Sequence, residues 1–296
     1  MARADAARDR PEDGAAEDAP ARPTLVQSKR ADPDDKPGPW RSYKEVLARL
    51  AQRLLDAQRP IRILNALRWP QSAEEAFLKS KARELPAVEY EADLGFDPDA
   101  KKQELTELAK DIDKELGNKD ELARILKDSV EDFQRVVAML ESRGTKRFYE
   151  HSKRLYGSAK NVLPDGKTTV RSMALDLYEQ LTSIACERLG EPQRRDIDAQ
   201  TAALVLNERL GRFFGETAVR VQVDDSLVAD AAAGSDYVKI RSGATFSRSD
   251  VDILEAHEGW VHLATSLNGA QQPVARWLAK GPPRTAAVQE GLAALL

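Results

Sequence analysis

The residues best suited to chemistry lie in one short segment, His257-Glu258-Gly259-Trp260-Val261-His262. Imidazole nitrogen is a preferred zinc ligand, and a helix showing two histidines beside a glutamate supplies two ligands and a general base together. In the familiar arrangement the histidines stand four apart, about 40° out of line on a helix turning about 100° per residue. Here they stand five apart. A regular α-helix would splay them by roughly 140°, so both reach one ion only if the turn is widened by a π-bulge or broken. Gly259 lies inside that turn and costs about 1 kcal/mol in helix propensity, which favours a local distortion. The bland alternative is a chance meeting of two of the three histidines, with Glu258 on the surface.

A catalytic zinc usually takes three protein ligands, so one is missing. The 34 residues after His262 hold a single carboxylate, Glu290. It sits in Ala287-Val288-Gln289-Glu290-Gly291-Leu292-Ala293, where an isolated charge is unfavourable unless a cation compensates it. The residues alone leave open whether Glu290 meets a metal or faces solvent on an otherwise apolar helix. The third histidine, His151, lies among Phe148, Tyr149, Leu155 and Tyr156 and reads as packing or surface rather than ligand.

The elements that must position these groups follow from periodicity. Ser247-Arg248-Ser249-Asp250 offers caps before Val251, Ile253, Leu254 and Ala256, so the histidines fall on a helix. Before it, Val219, Val221 and Val223 alternate with Arg220 and Gln222, and Tyr237-Val238-Lys239-Ile240-Arg241 gives a second strand pattern; a small sheet is expected. Upstream the spacing is helical. A first helix starts near Trp40, with Ser42 placed to cap it, and a second runs from Ser72 through Arg83 after Trp69-Pro70. Tyr90 to Pro98 reads as a connector, and Asp99 to Arg143 as an antiparallel helix pair meeting near Gly117-Asn118. Helices also fit Val170 to Leu189 and Ala199 to Phe214. The fold class is therefore α+β and predominantly helical, with three regions: a disordered tail over 1–38, a helical region over 39–214, and a small sheet with the site helices over 215–296, packed on the helical region as one domain.

Composition narrows the function classes. With 45 basic and 49 acidic residues the formal net charge is −4, so no global basic field attracts nucleic acid or an anionic membrane. No stretch approaches the roughly 20 apolar residues of a membrane span, and the first residues lack a signal-peptide core, so the expected location is cytoplasmic. The single cysteine, Cys186, reads as a buried helical position rather than a nucleophile.

From Val238 onward the sequence resembles the tyrosine carboxypeptidase family, which includes the microtubule-associated tyrosine carboxypeptidases and bacterial proteins known by a Gln-Glu-Gly-Leu-Ala motif. The resemblance rests on His257-Glu258 with His262, then Thr265, Asn268-Gly269 and Gln272-Pro273, then Gln289-Glu290-Gly291-Leu292-Ala293. It implies a zincin-like metallopeptidase domain that binds zinc through His257, His262 and Glu290, with Glu258 activating the water. The implied reaction removes a C-terminal residue, often aromatic, from a peptide or protein. A substrate carboxylate needs a cation, for which Lys239 and Arg241 on the strand before the site helix and Arg248 at its start are candidates. The family continues beyond the last motif whereas the chain stops at Leu296, so a fragment lacking one wall of the pocket is expected. The rival reading is a non-catalytic regulatory or interaction protein that keeps the fold.

Overall fold

A computed structural model describes residues 39–184, 193–215 and 218–296. The tail expected over 1–38 and the helical position of Cys186 lie outside the described residues. Seven helices precede the first strand among them: α1 (Pro39–Gln58), α2 (Ile63–Ala66), α3 (Gln71–Lys79), α4 (Pro98–Leu116), α5 (Glu121–Glu141), α6 (Lys146–Tyr156) and α7 (Val170–Ser183). β1 (Ile197–Asp198) leads into α8 (Ala199–Phe214), followed by β2 (Arg220–Asp224), β3 (Ala231–Ala233), β4 (Tyr237–Arg241) and β5 (Thr245–Phe246). The remaining helices are α9 (Arg248–Leu254), a π-helix (Glu255–Leu263), α10 (Ala264–Ala270), short 3₁₀ turns at Arg276–Ala279 and Pro283–Thr285, and α11 (Ala286–Leu295). The chain is thus predominantly helical with small sheets.

The helix pair shows how local sequence dictates its elements. Asp97 caps α4, accepting from the N–H groups of Asp99 and Ala100, with Pro98 at the first helical position. Asp120 caps α5 through the N–H of Ala123, and between the helices Gly117 takes φ +81°, open to glycine at little cost. Leu105, Leu108 and Ile112 of α4 then meet Leu126, Val130, Phe133 and Val137 of α5 and Leu47, Leu50 and Leu54 of α1 in one buried cluster. α1 begins at Pro39, so Ser42 lies inside the helix rather than at its cap. Trp277, far along the chain and 2% exposed, is buried in this same cluster.

A second cluster forms around the sheet. The strand order is β2-β4-β3, with β2 parallel and β3 antiparallel to β4. Val238 and Ile240 of β4 point inward against Ala202, Leu206 and Leu210 of α8 and against Val251 and Leu263 around the site helix. The sequence pattern yields β2 and β4 but not β3, whose three alanines have low strand propensity; β3 lies between them in the chain and fills the opposite edge, so β2 and β4 run parallel. β1 pairs separately with β5. No helix among the described residues is long and apolar enough to cross a membrane.

Candidate metal centre

The helix carrying the histidines is built at its start by a capping box: Ser247 accepts from the N–H of Asp250, whose carboxylate accepts from the N–H of Ser247. After α9 the helix widens into the π-helix over Glu255–Leu263, then returns to α-helix. At roughly 4.4 residues per turn a π-helix brings positions five apart to within about 50° of each other, against about 140° in an α-helix. The five-residue spacing therefore sits on the geometry it needs, and the His257 and His262 ring centroids are 4.9 Å apart. Gly259 belongs to the distorted turn for a packing reason as well, since a Cβ there would lie 2.5 Å from Leu210 Cδ2 on α8. Next to it, Trp260 packs edge-on to Phe213, also of α8, with centroids 4.6 Å apart. Arg209 of α8 ties the same segment down, donating to Asp252 at 2.7 Å and Glu255 at 2.8 Å.

Glu290 arrives from the C-terminal segment. Trp277 anchors that segment in the helical core, and Gly269 of α10 packs so closely on the backbone of Leu278 and Ala279 that no side chain fits between them. Arg284 then grips α5, donating to Asp132 through Nε at 2.7 Å and Nη2 at 2.8 Å, and to the Asp128 carbonyl at 2.8 Å. With its start fixed, α11 carries Glu290 to the histidines. Its Oε2 lies 3.5 Å from His257 Nε2 and its Oε1 3.5 Å from His262 Nε2. The three side chains can offer ligand atoms that all lie within 4.8 Å of one another.

The donor set fits zinc. Tetrahedral bonds of about 2.0 to 2.1 Å require ligand atoms about 3.3 Å apart. Each imidazole meets one oxygen of the Glu290 carboxylate at 3.5 Å, and one ligand atom from each of the three residues lies within 4.8 Å of the others, a spread that small side-chain rotations close. Two imidazoles with one carboxylate also form a familiar catalytic zinc set. Gln289 Oε1 stands 3.1 Å from His262 Nδ1, which leaves Nε2 of that ring for a metal. Glu258 is 9% exposed, and its Oε2 accepts from the N–H of Ala233 on β3 at 2.8 Å. That bond fixes one oxygen of the carboxylate; the other makes no hydrogen bond among the described residues.

Of the other expected site residues, Lys239 donates to Asp224 at 2.5 Å and Arg241 to Asp230 at 2.5 Å. Arg248 is exposed at the start of α9. None of the three lines the cavity of about 270 Å³ onto which His262 and Glu290 open. His151 on α6 stands outside the ligand group. A larger cavity, about 700 Å³, lies beside Trp69, Glu91 and Arg143 and touches none of these residues.

The family model described as microtubule-associated tyrosine carboxypeptidase matches residues 75–296. The chain belongs to this family. The match takes in every element from α4 to α11, and with them all four residues of the candidate centre and the Asp132–Arg284 pair that holds α11. Membership suggests tyrosine carboxypeptidase activity, and hence peptide or protein substrates. No curated protein and no solved structure matches the chain.

Proposed function

We propose that this protein is a zinc-dependent metallocarboxypeptidase with a zincin-like site, in which His257, His262 and Glu290 hold the metal and Glu258 is the general base. The observation that carries the reading is the convergence of Glu290, from α11, on two histidines carried by a π-turn whose width suits their spacing. When bound, zinc supplies Lewis acidity, polarising a carbonyl and making water more acidic near neutral pH. The free oxygen of Glu258 takes a proton from the attacking water as its oxygen bonds to the scissile carbonyl carbon. The C–N bond then breaks, and Glu258 hands that proton to the leaving amine of the terminal residue. The hydrogen bond from Ala233 holds the carboxylate in one orientation for both transfers. His262, oriented by Gln289, and His257 keep their outer nitrogens turned toward Glu290.

Elemental analysis and a peptide assay test this together. About one zinc per chain is expected in protein purified without chelators, with C-terminal residues released from peptides. Glu258→Gln should keep the zinc and lose about 10² to 10⁴ of the rate. Absence of zinc would sink the ligand assignment. Full zinc occupancy with no release from any peptide would instead favour the non-catalytic reading.

A further inference from the structure

A carboxypeptidase must recognise a free α-carboxylate, and the cations nearest in sequence to the site helix do not line the candidate centre's cavity. Lys239 and Arg241 are matched by Asp224 and Asp230. The cavity beside His262 and Glu290 holds a different cation, Lys280. No carboxylate lies within 4 Å of its ammonium among the described residues; its one hydrogen bond is a long one, 3.5 Å, to the carbonyl of Gln58. Lys280 also lines an adjoining cavity together with Arg62 and Gln58. Gln58 is 1% exposed, and neither atom of its side-chain amide has a partner among the described residues. Crowding by protein and the nearby Arg62 guanidinium push the lysine below its ordinary pKa. Two cations lining one cavity that has no acid among its described lining residues favour a bound anion.

The remaining walls of the cavity are apolar or aromatic: Ile61, Ile63, Phe133 and Tyr156. One space thus touches the candidate metal ligands, an unmatched ammonium and a greasy wall. We infer that Lys280 receives the α-carboxylate of the substrate's terminal residue, and that Phe133, Tyr156 and Ile61 enclose that residue's apolar or aromatic side chain. This rests on the carboxypeptidase reading above and adds to it the group that makes the enzyme an exopeptidase. It also explains why the chain places a lysine where Trp277 and Arg284 fix the backbone on both sides: a receptor for one carboxylate must not wander.

The test uses the zinc-loaded full chain with acetyl-Gly-Gly-Tyr as the free acid and as its C-terminal amide. Wild type should prefer the acid. Lys280→Met should lower kcat/KM for the acid by about 10- to 100-fold and the amide rate by far less, so that the preference collapses, whereas Lys280→Arg should keep it. A Lys280→Met enzyme that still prefers the acid to the wild-type extent overturns the inference. Calorimetric binding of the same two peptides to zinc-loaded Glu258→Gln provides an arm that needs no turnover. Tighter binding of the acid, lost on adding Lys280→Met, supports the lysine even if the wild type cleaves neither peptide, an outcome that would defeat only the proposed reaction. Equal binding of acid and amide by Glu258→Gln overturns it.

Discussion

His262 Nδ1 and Gln289 Oε1 lie 3.1 Å apart, so the residue before Glu290 orients the ring that Glu290 faces. Because the amide oxygen can only accept, the imidazole carries its proton on Nδ1 and presents the Nε2 lone pair to the candidate metal position. A single helical turn of α11 therefore supplies both a candidate ligand and the group that sets the tautomer of another candidate ligand. Gln289→Ala removes the second contribution alone. Zinc affinity, measured by competition with a chromogenic chelator, should fall about 10- to 100-fold with the fold intact. An unchanged affinity would mean that the ring is oriented by its packing instead.

Gly259 should resist enlargement. Leu210, against which its missing Cβ would press, is 1% exposed and packed in the core cluster around the sheet. Gly259→Ala gains helix propensity, yet overpacking should outweigh that gain and cost about 1 to 3 kcal/mol in urea unfolding. The same substitution introduced alongside Leu210→Ala should cost clearly less. Equal costs in both backgrounds would assign the glycine to the π-turn's backbone rather than to this contact.

The parts of this fold legible in the sequence are those specified locally. The break at Gly117-Asn118 announces the helix pair, whose caps Asp97 and Asp120 appear only in the structure, and Ser247 with Asp250 announces the site helix. Even the distorted turn follows from counting residues between two histidines, because angular spacing on a helix is fixed by geometry. What the sequence conceals is long-range or chemically plain. Arg284 and Asp132 are 152 positions apart and neither sits in a distinctive motif. β3 is three alanines, indistinguishable from helix by propensity. Lys239 and Arg241 look available in sequence because the acids that match them come from other segments. Lys280 has no pattern around it; only its place in the cavity gives it meaning.

The Arg284–Asp132 pair should be strongly asymmetric to mutation. The Asp132 side chain is 5% exposed, and apart from Arg284 its nearest cation is Arg135 at 3.7 Å. Arg284→Ala strands that carboxylate, which should cost about 3 kcal/mol in equilibrium unfolding. Since the arginine also fixes the start of α11, zinc affinity should drop in the same variant. Replacing both partners by leucine removes the stranded charge and should recover most of the stability but not the affinity. A double variant no more stable than Arg284→Ala would place the cost elsewhere than in desolvated charge.

The last prediction concerns pH and the sheet that supports Glu258. Lys239 of β4 donates to Asp224 at the end of β2, and the Ser226 hydroxyl and N–H donate to the same carboxylate. Chiefly through Lys239, the Asp224 carboxyl is held well below its usual range, while the same bond raises Lys239. For the depressed acid, the stabilisation is present above the unfolded value of about 3.9 and is lost as pH falls through the lower folded value. For the raised base, it is present below about 10.4 and is lost as pH rises through the higher folded value. The pair thus contributes across the whole neutral range. Asp224→Asn should lower the urea midpoint by a constant amount between pH about 5 and 9, and the gap from wild type should narrow steadily below pH about 4. A gap that instead opens and closes near pH 6.5 would point to a histidine, not to this pair, as the titrating group.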